Sequence, residues 1–207
     1  MEKIFTRPKK GEEQIGTVID MAYGGKGIVK INMGERDYIV FISNTITGQK
    51  IKYKINKRKE NYAEGRLLEI ISRSNLEIKI PYQSISGAPY STLDLNDQHK
   101  LKKNQVFELF TKIGGIDSIE SKFDTFIESP SIWHYRNKMD YSFSSIGYNK
   151  KSKEIVDEFS LGFKKINTWW IVENLEKADY ITTNYFNENE NLKNKLKDMK
   201  FEIFHQI

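Results

Sequence analysis

Cysteine is absent from all 207 residues. That removes disulfides, thiolate metal sites, cysteine-held iron–sulfur clusters and cysteine nucleophiles from the chain's chemistry. Proline is scarce, with four residues, and histidine scarcer, with three. His99, His134 and His205 have no metal-ligand spacing, so ordinary surface or core roles are expected of them. No apolar run is long enough to span a bilayer, and no charged and apolar leader follows Met1. The expectation is a cytoplasmic protein with no membrane partner. Hydrophobic residues make up 38% of the chain, low but sufficient for one large or two small packed domains.

Positive charge is in excess, and it is unevenly placed. Residues 1–75 hold 15 Lys and Arg against 9 Asp and Glu, a balance of +6; residues 76–207 hold 18 against 19, a balance of −1. A small basic unit is the electrostatic footprint of a polyanion binder, with nucleic acid the leading partner. The chain is also rich in Lys, Asn and Ile throughout, as AT-rich genomes produce. That bias supplies lysines, but it does not explain why acidic residues match them only after residue 75.

The basic unit is organised around residues 16–41. Two β-branched runs, Val18-Ile19 and Ile28-Val29-Lys30-Ile31, flank Gly24-Gly25-Lys26-Gly27, and a polar turn at 32–37 leads to Tyr38-Ile39-Val40-Phe41-Ile42. Strand-rich runs split by Gly and Asn clusters mark antiparallel hairpins. Two further runs, 49–54 and 63–72, complete five short strands, which predicts a small barrel of the OB type. The densest basic run is Lys50, Lys52, Lys54, Lys57, Arg58 and Lys59. Lys50, Lys52 and Lys54 alternate with Ile51, Tyr53 and Ile55, so on a strand the charges share one face. A phosphate-tracking face and an ordinary solvated one would show the same alternation.

Residues 1–11 read as a basic arm, 12–73 as the barrel, 74–96 as a connector and 97–207 as a partial second domain. Val106, Leu109, Phe110 and Ile113 recur at helical spacing, with Asn96 or Asp97 as cap and Gly114-Gly115 as stop. Past Pro130, a strand with Met139, Tyr141 and Phe143 on its buried face is expected. A hairpin over 144–157, a strand over 159–164, Trp169-Trp170-Ile171-Val172 in the core, a helix over about 177–200 and a last strand over 201–207 follow. A strand with nothing after it to close the sheet reads as an interrupted domain.

Ala22-Tyr23-Gly24-Gly25-Lys26-Gly27-Ile28-Val29, Val40-Phe41-Ile42, Thr47-Gly48-Gln49-Lys50-Ile51 and Ala63-Glu64-Gly65 together resemble the TRAM domain, an RNA-binding barrel on RNA-modifying enzymes. The second half carries the run from Asp97 to Val106, then Ile113-Gly114-Gly115, Pro130, Tyr135-Arg136-Asn137-Lys138-Met139 and Leu161-Gly162-Phe163. That ordered set resembles the RNA uridine-C5 methyltransferases, which methylate ribosomal and transfer RNA, and the resemblance covers nearly the whole chain. It implies a mostly β fold with an α+β second part. A five-stranded OB-like TRAM barrel would precede a helix and an incomplete antiparallel α+β central domain.

The resemblance further implies that Arg136 and Lys138 face substrate RNA, holding or stacking on splayed nucleotides. A structural pairing of Arg136 with Asp140 is the alternative. Where many members bind an iron–sulfur cluster, this chain has Ile80, Ser86 and Pro89 in the cysteine places, so no cluster is expected. The family's S-adenosylmethionine domain and catalytic cysteine have no counterpart here. The family adds a thiolate at C6 of uracil to activate C5, a step closed to a chain without cysteine. No cofactor is therefore expected in this chain, with S-adenosylmethionine belonging to the intact enzyme. The expected RNA-binding residues are Lys26, Lys50, Lys52, Lys54, Lys57, Arg58, Arg136 and Lys138. The expected function is the RNA-binding part of an RNA (uracil-C5) methyltransferase acting on 23S ribosomal RNA, as a monomer. The alternative is a non-catalytic, stand-alone RNA-binding protein of the TRAM type.

Overall fold

A computed structural model describes residues 7–34, 36–80, 88–129, 133, 140–149, 152–165, 168, 170–174, 191, 192, 194 and 195. The expectations for Arg136, Lys138, Trp169, His134, His205, the loop at 81–87, the strand over 201–207 and most of the helix over 177–200 lie outside the described residues. The chain divides into two compact units: Met1–Lys79 with Pro89–Glu128, and Ile80–Ala88 with Ser129–Ile207.

The first unit is a curled sheet of six strands: β1 (Glu13–Thr17), β2 (Asp20–Ala22), β3 (Lys26–Asn32), β4 (Asp37–Ser43), β5 (Lys50–Arg58) and β6 (Tyr62–Ser72). Their order is β1-β5-β6-β4-β3-β2, with β4 and β6 parallel and the other neighbours antiparallel. Five strands were expected. The extra one arises because the first run bends at Val18-Ile19. The Val18 N–H donates to Gln49 O on the β5 side, and the Ile19 N–H donates to Ile28 O on the β3 side, both at 2.9 Å. One continuous segment thus serves both ends of the curled sheet.

Period-2 alternation fills the interior. Val18, Val29, Tyr38, Val40, Ile42, Ile51, Tyr53, Ile55 and Ala63 form one buried cluster. Fully burying each large apolar side chain is worth roughly 1.5–3 kcal/mol, so this cluster outweighs any single surface pair. The Tyr38 hydroxyl lies 2.7 Å from Lys59 O and 2.6 Å from Tyr62 O. It can donate to one at a time, and it pins the β5–β6 turn to β4.

Helix α1 (Leu95–Lys112) belongs to this same unit, although the sequence grouping placed it with the second part. Its cap is Asp94, whose Oδ1 accepts from the Asn96 N–H at 2.8 Å, rather than Asn96 or Asp97. The helix ends as expected: the Gly114 N–H returns to Leu109 O, and Gly115 takes φ +61°. The helical stripe Val106, Leu109, Phe110 and Ile113 is exposed. The helix instead buries Gln105, whose Nε2 donates to Met21 O at 2.8 Å. A second apolar cluster of Met21, Ile46 and Leu93, lined by Leu76, Tyr90 and Leu101, completes the joint.

In the second unit, β7 (Ser142–Asn149) pairs antiparallel with β8 (Glu154–Lys164), and β8 pairs antiparallel with β9 (Val172–Asn174). A single pair, Gly147–Val172, returns from β9 to β7. The two strands expected over 154–164 are one, because a register shift between Ser144 and Ile146 accommodates Glu158 and Phe159 opposite Ser145 without breaking the ladder. Phe143, expected on a buried face, is exposed.

Candidate nucleic-acid interface

Alternation along β5 places Ile51, Tyr53 and Ile55 inside and Lys50, Lys52 and Lys54 outside. Register then sets the neighbours of each cation. Lys54 lies between Glu13 on β1 and Arg66 on β6, and Lys52 between Ile15 and Glu69. Lys57 pairs with Glu64, and Arg58 with Ala63. The outer face is therefore a basic band interrupted by three carboxylates, Glu13, Glu64 and Glu69.

Lys52 is engaged: its Nζ lies 2.9 Å from Glu13 Oε2. That hydrogen bond, and the charge attraction behind it, hold the Glu13 carboxyl below and the Lys52 ammonium above their ordinary values. Lys50, Lys54, Lys57 and Arg58 form no ion pair among the described residues. Among the described residues, no carboxylate lies within ion-pair distance of their charged groups.

Lys26 sits apart from β5, at the start of β3, yet reaches across β4 to Glu64 at 3.8 Å. Glu64 also faces Lys57 in the β5–β6 register. Glu64 is thus flanked by Lys26, which its carboxylate meets, and by Lys57, its partner in the strand register. Beside them, Phe41 and Tyr62 pack edge to face with centroids 5.7 Å apart. Arg66 on β6, outside the basic run of β5, faces Lys54 in the β5–β6 register and extends the basic band; its only sequence signal is the Glu64–Arg66 alternation along β6.

The Gly24-Gly25-Lys26-Gly27 segment joins β2 to β3, two antiparallel strands. A loop that cradles an adenosine or phosphate cofactor opens a helix, so these residues do not fit S-adenosylmethionine. An iron–sulfur cluster needs thiolates, and the chain has none. Among the described residues, no group of three or more His, Asp or Glu is placed to hold a metal ion. His99 has a packing role, with its Nδ1 3.4 Å from Glu128 Oε1 and its ring 4.6 Å from that of Phe126.

No protein-family model matches the chain. Curated relatives do. An uncharacterized RNA methyltransferase of Staphylococcus aureus strain COL is 29% identical over 200 residues, covering 95% of this chain and 41% of its own length. An uncharacterized RNA methyltransferase of Staphylococcus epidermidis strain ATCC 35984 is 31% identical over 160 residues, 72% of this chain and 34% of its own. The chain spans about two fifths of the length of the first of these. In fold it is similar to the tRNA (uracil-54, C5)-methyltransferase of Pyrococcus abyssi, crystallised with S-adenosyl-L-homocysteine. The TM-score is 0.57 at 17% identity, over 92% of this chain and 38% of that one. By sequence, then, the chain is a relative of RNA methyltransferases. Within that class it resembles the TRAM-containing uracil-C5 methyltransferases, in the order of its motifs as in its fold.

Proposed function

We propose that this chain is the RNA-binding part of an S-adenosylmethionine-dependent RNA (uracil-C5) methyltransferase acting on 23S ribosomal RNA. The barrel is read as a TRAM domain of the OB type and holds RNA by its phosphates. Methyl transfer, with S-adenosylmethionine as donor, belongs to a module beyond these residues, because addition at C6 needs a nucleophile that a cysteine-free chain does not supply. The observation that carries the reading is the row of cations along β5, Lys50, Lys54, Lys57 and Arg58, which form no ion pair among the described residues. The same absence of cysteine favours the second reading, a stand-alone RNA-binding protein without chemistry.

Each phosphate neutralised releases counterions, so log K falls linearly with log salt, by about −0.7 per contact on single strands. With three or four contacts the slope is about −2 to −3. The test is a salt series of fluorescence-anisotropy titrations on a single-stranded RNA loop. A combined Lys50→Glu, Lys54→Glu, Lys57→Glu variant leaves the Lys52–Glu13 pair intact and is expected to weaken binding and flatten the slope. Wild-type binding indifferent to salt, or a triple variant that binds as well as wild type, overturns the barrel's role in the interface.

A further inference from the structure

Tyr23 is the most exposed aromatic side chain among the described large apolar residues, at 75% against 47% for Phe110. Among the described residues it makes no hydrogen bond, ring contact or ion pair. Exposed aromatics are common on mobile loops, but this one stands on a fixed support. The residue two before it, Met21, is buried in the second apolar cluster, and its carbonyl accepts the Gln105 side chain of α1. The turn that follows is closed by the Gly25 N–H donating to Ala22 O at 3.0 Å. A Cβ on Gly25 would lie 2.5 Å from Pro89 and 3.5 Å from the Tyr90 ring, so the turn is seated directly on that segment. Lys26 follows at once in the chain, and Lys102 lies over the Tyr90 ring at 5.6 Å from its centroid.

We infer that Tyr23 is a stacking platform for an unpaired RNA base, with Lys26 and Lys102 serving the flanking phosphates. This rests on the RNA-binding reading above and adds a base contact to it. The physics favours a stacked base over a merely solvated ring. The backbone beneath the ring is already fixed, so covering the ring with a base costs only side-chain rotamer freedom. Base stacking tolerates any sequence because every base has a π face. The long Lys26–Glu64 pair is exposed on both sides, so a phosphate can compete for the ammonium. None of the β5 lysines supplies an apolar face, so stacking and phosphate contact are separable by mutation.

The experiment compares wild type, Tyr23→Phe and Tyr23→Ala on two ligands of equal charge. One is a single-stranded oligoribonucleotide carrying 2-aminopurine, and the other is its abasic counterpart. Circular dichroism melting confirms that each variant folds. Wild type is expected to quench 2-aminopurine and to prefer the oligoribonucleotide over the abasic strand. Tyr23→Phe should stay within about twofold of wild type, while Tyr23→Ala loses about tenfold and the quenching, with its salt slope unchanged. Equal affinity of wild type and Tyr23→Ala for both strands, with salt dependence intact, overturns the stacking site and leaves phosphate binding standing. Absence of any binding by wild type overturns both.

Discussion

Gly24 and Gly25 share a backbone conformation, φ +88° and +84°, and differ in surroundings. A Cβ at Gly24 meets nothing within 4 Å, whereas one at Gly25 runs into Pro89. Either alanine forces an L residue into the left-handed region, about 1–2 kcal/mol. Only Gly25→Ala adds overpacking, about 1–3 kcal/mol more. Gly25→Ala is expected to lower the urea midpoint further than Gly24→Ala by that margin. Equal losses would mean that Pro89 yields and the turn is not docked. At this scale the sequence was partly legible. Lys50, Lys52 and Lys54 face outward as their spacing implied, but nothing local to β5 announced that Lys52 would be taken by Glu13, a residue on a strand far away in sequence. The exposure of Tyr23 is not legible in its motif, because exposure is set by what packs nearby and not by the residue itself.

The segment leaving β6 is tied back to the barrel by one carboxylate. Glu77 Oε1 accepts from Gln49 Nε2 at 2.6 Å and from the Ser74 N–H at 3.2 Å, and its Oε2 accepts from Arg73 Nη1 at 2.6 Å. Burial pushes this carboxyl upward, but the three donors outweigh burial and hold it below the ordinary value of 4.5. A group depressed in the folded state stabilises fully above its unfolded pKa and stops doing so as pH falls through its folded one. Glu77→Gln is therefore expected to cost about 1–3 kcal/mol at pH 7, with the deficit shrinking in acid below 4.5. Urea denaturation at neutral and at strongly acid pH measures both; an equal deficit at the two would sink the idea. Elements were legible where period and composition agreed, as in β3, β4, β5 and the Gly114-Gly115 stop. The bend at Val18-Ile19 was not, because it is made by hydrogen bonds to Gln49 and Ile28. Nor was the face that α1 buries, since its apolar stripe points to solvent and a glutamine faces the barrel.

For the first unit as a whole, one contribution to the loss of stability in alkali sits at its centre. Tyr53 is buried, and its hydroxyl donates to Gln14 Oε1 at 3.1 Å. Burial, with the nearby Glu12 carboxylate adding to it, pushes this phenol up to about 12 from its ordinary 10.0. The unfolded phenol ionises first, so stability falls as pH rises from 10.0 to about 12, by up to about 2 kcal/mol. Tyr53→Phe should remove that part of the decline. The other tyrosines contribute equally to both proteins and cancel in the difference. Parallel loss by wild type and Tyr53→Phe across the window would assign the decline elsewhere. The charge split at residue 75 does not coincide with the structural division, because residues 89–128 of the first unit hold 5 Lys and Arg against 7 Asp and Glu. The seating of α1 on the barrel was not legible in the sequence, because it depends on Met21 and Gln105 meeting across 84 positions of sequence.

The bent first segment has a further consequence. Its two halves, five and three residues long, stand at the two ends of the sheet order. Only short stubs of backbone are left there for another chain to extend, so templated β-addition finds little purchase. Crowded together in solution, copies of this unit can lie side by side without zipping into one another.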